Sequence, residues 1–438
     1  MIHILAYILG IVILIVGVGI SVALHELGHM LPAKHFGVKV PEYFIGFGPK
    51  LWSTRRGETE YGVKAIWLGG YVRLLGMLPP ARADHPDKPG SMIAQAREES
   101  LAELGTNEQD RAFYRLSIPR KLVVMAGGIL TNLALGIICL TVALGVIGQP
   151  ARTATLASVA ECVSSDIDAG AACTDADPVA PGAAAGLRTG DTIISWAGTP
   201  TTTWADVQAA ITAAGAKPAD VVVTRDGEER TLTVTAVEVP RTIYDDSGDP
   251  VIGSDGEVVK QLRPYVGIGP SFGTVRTPLS DIPRVVGNAV AQTLKAIVTL
   301  PVGLYHAVAA GLGVEERSAD GLVSLVGVGR IAGEVTSAGA GTGAGLPFSV
   351  RLFSMLSLLG SLNLALFAFN LIPLLPLDGG HVAGACWEGL RRGWARLRGL
   401  PDPGYADTAR MLPVGQVVFY LLVAMALILI WADIVAPI

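Results

Sequence analysis

The chain has 438 residues, half of them apolar and only 16% charged, with a mean hydropathy of +0.49 and a formal net charge of −5. That balance excludes an ordinary soluble globule, about a quarter of whose residues are charged, and it supplies no basic excess for nucleic acid. A membrane protein is the class that remains.

In chain order, four stretches are long and apolar enough to cross a hydrocarbon core of ~30 Å, which takes about 20 helical residues. They run from Ile4 to Leu24, Leu122 to Ile147, Leu352 to Leu375 and Val414 to Ile434. The first is expected to remain as a helix rather than act as a cleaved signal, because no Lys or Arg precedes it and no small-residue cleavage site ends it. Lys34, Lys39, Arg115, Arg120 and Lys121 lie near the membrane between the first two spans, and Arg391, Arg392, Arg396 and Arg398 follow the third. By the positive-inside rule these loops are cytoplasmic, and both termini and the Asp- and Glu-rich region 150–350 lie outside.

The first span leads into His25-Glu26-Leu27-Gly28-His29. Two histidines four apart on a helix share one face and can ligate one metal, while the glutamate between them projects nearby to work on a metal-activated water. Ionisable groups at membrane depth are costly unless they serve a metal or a cavity. A catalytic zinc takes three protein ligands and keeps the fourth position open, so a third ligand is required. His35 stands where soluble metzincins place their third histidine, but Pro32 replaces the turning glycine they need. Asp378 is the stronger candidate, in Asn370-Leu371-Ile372-Pro373-Leu374-Leu375-Pro376-Leu377-Asp378-Gly379-Gly380-His381, where prolines and glycines break an apolar helix. One carboxylate with two neutral histidines would also balance zinc and hydroxide, and His381 is the rival ligand.

After the first span, the Gly-punctuated residues Tyr43 to Arg73 read as short strands and turns, and 79–110 as a polar, flexible insert. Farther on, Ile193-Ile194-Ser195-Trp196, Val221-Val222-Val223-Thr224 and Thr231-Leu232-Thr233-Val234 have strand composition, Asp226-Gly227 marks a hairpin turn, and Ala205 to Ala214 is helical. The segment Ala180 to Ile194 resembles the helix, turn and strand of a bacterial protease-type PDZ domain, a fold that binds chain ends by strand addition. A spacer or size filter without a ligand is the alternative for it. Cys162 and Cys173 lie in this external region, where a disulfide can persist, and their pairing is left open. Residues 280–313 read as an external or interfacial helix and Ser337 to Gly345 as a Gly-rich linker.

Taken together, the helix carrying the two histidines with Ala33 and Gly37-Val38 after it, the loop Gly46-Phe47-Gly48, the second-span segment Met125 to Asn132, the PDZ-like insert and Leu377-Asp378-Gly379 resemble the site-2 protease family of intramembrane zinc metalloproteases, close to the bacterial regulator-of-sigma-E protease branch. The resemblance implies that His25, His29 and Asp378 bind Zn2+, that Glu26 is the base, and that Asn370, Pro373 and Asn363 hold substrate. It implies single-pass membrane substrates, among them anti-sigma factors and signal-peptide remnants, cut in the bilayer of a bacterial cell membrane after an upstream site-1-type protease has acted. The expected fold class is a polytopic α-helical membrane protein with four transmembrane helices and an inserted extracytoplasmic PDZ-like α/β domain. Its parts are residues 1–148 (first two spans and a cytoplasmic β-rich loop), 153–275 (PDZ-like domain), 276–351 (external helix and linker) and 352–438 (last two spans). The non-enzymatic alternative is a PDZ-bearing membrane scaffold with a structural metal site, for which Glu26 would have no use.

Overall fold

The computed structural model describes residues 2–81, 86–102, 104–105, 108–163, 173–174, 176–243, 250–252, 257–318, 321–338 and 346–437. The chain forms two compact units, one of Met1–Ala143, Leu279–Gly345 and Ser354–Ile438, the other of Leu144–Pro278 and Leu346–Phe353.

The first unit begins with helix α1 (Ile2–His35), which continues eleven residues beyond the apolar stretch and so carries the histidine pair within one regular helix. Strands β1 (Glu42–Arg56) and β2 (Thr59–Arg73) follow. They are longer than the sequence pattern implied, and they bend, so that Tyr43 in the first half of β1 faces both Val72 and Tyr61 of β2. Helix α2 (Met92–Leu101), capped by Ser91, replaces the flexible insert expected at 79–110, among the residues described there. The cause is Arg97, 4% exposed, which binds Asp87, the carbonyl of Pro79 and Asp407 and so fixes that segment to the protein. Helix α3 (Ile118–Val142) is the second long apolar helix.

The second unit has a sheet ordered β10-β3-β4-β6-β7, made of β3 (Gln149–Val159), β4 (Thr192–Trp196), β6 (Pro218–Arg225), β7 (Glu228–Thr235) and β10 (Ile268–Val275), with β5 (Thr199–Pro200) on β4. Helices α4 (Pro181–Ala184) and α5 (Trp204–Ala214) complete it, and β8 (Val237–Thr242) pairs with β9 (Lys260–Tyr265). Positive φ at Asp226 and Gly227 makes the tight β6–β7 hairpin turn that their residue types favour. Ile193, Trp196, Val207, Val221, Val223 and Val234 form its core. Cys162 and Cys173 are joined by a disulfide.

The remaining helices are α6 (Ile282–Val298), α7 (Leu300–Gly311), α8 (Leu325–Ser337), α9 (Phe348–Asn370), α10 (Asp378–Leu397) and α11 (Leu412–Val435). The single external helix expected at 280–313 is two, α6 and α7, bent by 74°. Most of the Gly-rich stretch lies outside the described residues. Before it, α8 packs Val328 and Ala332 against Leu14 of α1 and Met355 of α9, part of the first unit's core. The third span ends at Asn370, five residues earlier than the hydropathy stretch. Pro373 and Pro376 each lack the N–H that would continue the helix. Among the described residues, four helices are long and apolar enough to span a membrane, α1, α3 with its π-helical end, α9 and the segment Thr408–Val435, and the bent pair α6 and α7 would make a fifth if it were one span. With the sheet-bearing second unit, this is a polytopic membrane protein with an inserted β-rich domain.

Candidate active site

His25 and His29 sit one turn apart on α1 with their rings edge to face, centroids 4.8 Å apart. What holds them is α3. Gly28 of α1 and Gly127 of α3 meet backbone to backbone, because a Cβ on either would fall onto the other helix. The next residue, Gly128, leaves the space the His29 ring occupies. His29 Nδ1 lies 2.8 Å from the carbonyl oxygen of Val124, a group that can only accept, so Nδ1 carries the proton and Nε2 presents a lone pair. On the other ring, His25 Nδ1 lies 3.1 Å from the side-chain amide of Asn132.

Asp378 comes to these histidines from far along the chain. The irregular stretch Leu371 to Leu377 turns after α9 and folds back over the start of α10, where a Cβ on Gly379 would strike the backbone of Ile372 and one on Gly380 the backbone of Leu375. The two glycines therefore let Asp378 open α10, where a helix N-terminus favours a carboxylate. Its Oδ2 is 3.2 Å from His25 Nε2 and 3.3 Å from His29 Nε2, and the two Nε2 atoms are 3.3 Å apart. An equilateral triangle of that size is one face of a tetrahedron whose centre lies ~2.0 Å from each corner, the bond length of zinc to nitrogen or oxygen. Oδ2 is buried and makes no well-formed hydrogen bond, and the two Nε2 atoms lie beside it, so three potential ligand atoms converge on one point. A divalent cation is what this donor set fits, and among the described residues it is the cluster suited to one.

Glu26 lies on the side of α1 facing the hairpin. A Cβ on Gly70 would touch its Cγ at 3.2 Å, the backbone of Val72 hydrogen-bonds to it, and it lies within electrostatic reach of both histidines and Asp378. Tyr43 donates to the Ala23 carbonyl at 2.6 Å and locks the hairpin to α1. Burial, followed by the charge of Glu26 and the neighbouring Tyr61, pushes its phenol up to about 12, so it stays a donor throughout the neutral range.

Of the other candidates, Asn370 closes α9 and is half-buried, and Pro373 lies exposed in the turn that precedes Asp378. Asn363 is 2% exposed and donates to Ser21 of α1 at 2.9 Å and to Leu359. In this structure it ties α9 to α1. His35 is exposed at the end of α1, and neither it nor His381 joins the donor cluster. Sequence reasoning missed the parts contributed by packing: the Val124 carbonyl, Gly70 and Val72 beside Glu26, and Lys121. Counted in the sequence as a loop charge, Lys121 is buried and paired at 2.8 Å with Glu388, which joins α3 to α10.

The model of peptidase family M50 matches residues 13–399. The chain is 34% identical to zinc metalloprotease Rip1 of Mycobacterium tuberculosis, over 99% of this chain and 98% of that one. It is 30% identical to zinc metalloprotease Rip1 of Mycolicibacterium smegmatis, over 98% of each. To metalloprotease MmpA of Caulobacter vibrioides it is 27% identical, over 89% of this chain and 88% of that one. With a family match that runs through the histidine pair and Asp378, and relatives that match over nearly the whole chain, the chain belongs to peptidase family M50, the site-2 protease family, and is a zinc metalloprotease of the membrane.

Proposed function

We propose that this chain is the endopeptidase that cuts transmembrane segments of single-pass membrane proteins near the cytoplasmic face, with His25, His29 and Asp378 as zinc ligands and Glu26 as the general base. The observation that carries the reading is the triangle of donor atoms, 3.2–3.3 Å on each side, with Glu26 beside it. When bound, zinc would acidify a water and polarise the scissile carbonyl. Glu26 takes the proton of that water and passes it to the leaving amine. A structural metal site has no use for such a base, which sets the scaffold reading aside.

A substrate helix keeps its carbonyls in hydrogen bonds and must unwind before attack. The Gly69-Gly70 end of β2, beside Glu26, offers an edge on which the extended segment can lie, with Asn370 and Pro373 as substrate-holding positions and Asn363, whose amide is engaged with Ser21, supporting them from within the helix packing. The basic loops support a cytoplasmic active site, with the second unit as a PDZ-like extracytoplasmic domain that receives what an upstream site-1-type protease leaves. Anti-sigma factors and signal-peptide remnants are the substrates proposed. Glu26→Gln tests the core of this reading: zinc content is expected to stay and cleavage of a co-expressed membrane substrate to stop. Continued turnover by that variant would refute it.

A further inference from the structure

His25 points Nε2 at the donor cluster, so the state of its other ring nitrogen decides whether Nε2 offers a lone pair or an N–H. Nδ1 faces Asn132, which is 1% exposed on α3. If the amide nitrogen of Asn132 donated to Nδ1, the ring proton would be forced onto Nε2, and His25 would be closed to any cation. An amide has the same shape with its oxygen and nitrogen exchanged. No hydrogen bond holds Oδ1 of Asn132 away from His25, so turning the amide breaks none there. Oδ1 then accepts from Nδ1–H, and Nε2 is free to ligate. His29 is held in this way by the carbonyl of Val124, about two turns earlier on α3.

We infer that Asn132 is a positioning residue of the metal centre, its Oδ1 accepting the Nδ1–H of His25 and so fixing the ring in the tautomer that ligates through Nε2. This rests on the metal reading of the site. Through Val124 and Asn132, α3 orients both histidines of α1, while Gly127 and Gly128 bring it close enough to do so. Such partners outside the ligand set contribute about 10–100-fold to metal affinity.

The test uses the full-length protein in detergent or nanodiscs and measures zinc retention against a chelator for wild type, Asn132→Leu and Asn132→Asp. Leu keeps the volume without an acceptor and is expected to lose 10–100-fold in zinc affinity. Asp keeps an acceptor oxygen and is expected to match or exceed wild type. A merely space-filling role predicts the opposite order, because a buried carboxylate disrupts a packed helix interface more than an isosteric leucine does. Wild-type affinity in the Leu variant, or greater loss in Asp than in Leu, would overturn the inference. If the Leu variant fails to fold, Asp against wild type decides: retention supports the role and loss refutes it. Wild type binding no zinc would instead sink the metal reading.

Discussion

Gly128→Ala puts two physical effects in opposition. By helix propensity the change should favour α3 by up to about 1 kcal/mol, since glycine is the poorer helix former. The structure predicts the reverse for the site. A Cβ at this position would lie 2.7 Å from both Cδ2 and Cε1 of His29 and closer still to Nε2, whereas ordinary contact begins at 3.4 Å. The ring must therefore retreat by at least about 0.7 Å, and the Val124 hydrogen bond that holds it is already at 2.8 Å. Metal bonds tolerate only about 0.2 Å. Loss of the Val124 partner alone should weaken zinc binding about 10–100-fold, and a displacement of this size should cost about 100-fold in cleavage. Zinc content after dialysis against a chelator and turnover of a membrane substrate measure the two effects, with thermal unfolding as the control for the fold. A Gly128→Ala protein with wild-type zinc retention and turnover would refute the assignment of Gly128 as the space reserved for His29.

Lys121 and Glu388 are a buried pair between α3 and α10, and Glu388 also accepts from the Ala406 N–H and sits 3.2 Å from Arg392. Lys121→Met should cost about 3–5 kcal/mol by leaving a buried carboxylate short of its partner, and Lys121→Met/Glu388→Gln should recover part of that in thermal unfolding. In the second unit, burial raises the Asp191 carboxyl, but the hydrogen bonds from Arg225 and the Arg188 N–H outweigh it and hold the group below its usual range. A lowered folded-state value means that stability from this pair is present above pH ~4 and is lost as pH falls through the folded value. Acid unfolding of that unit should therefore move to higher pH in Asp191→Asn, with lower stability at pH 7, and an unchanged midpoint would contradict it.

The sequence by itself determined what depends on neighbours within a turn or a strand. Apolar length marked the four spanning helices, i,i+4 spacing put His25 and His29 on one face, and Asp226-Gly227 marked the hairpin between β6 and β7. The break before Asp378 was legible because Pro373 and Pro376 forbid a continuous helix. Where the reading was local but incomplete, tertiary contacts supplied the difference: Arg97 orders α2, and α8 becomes core because Val328 and Ala332 find α1. The distance of Asp378 from the histidines, the tautomer of His29 and the place of Glu26 beside Gly70 were decided only by the tertiary structure. Convergence of three donor atoms to 3.2–3.3 Å requires α1 and α3 to meet at Gly28 and Gly127 and α10 to begin under a folded-back loop. Such close approach follows from the packing of residues far apart in the chain, which no local pattern records.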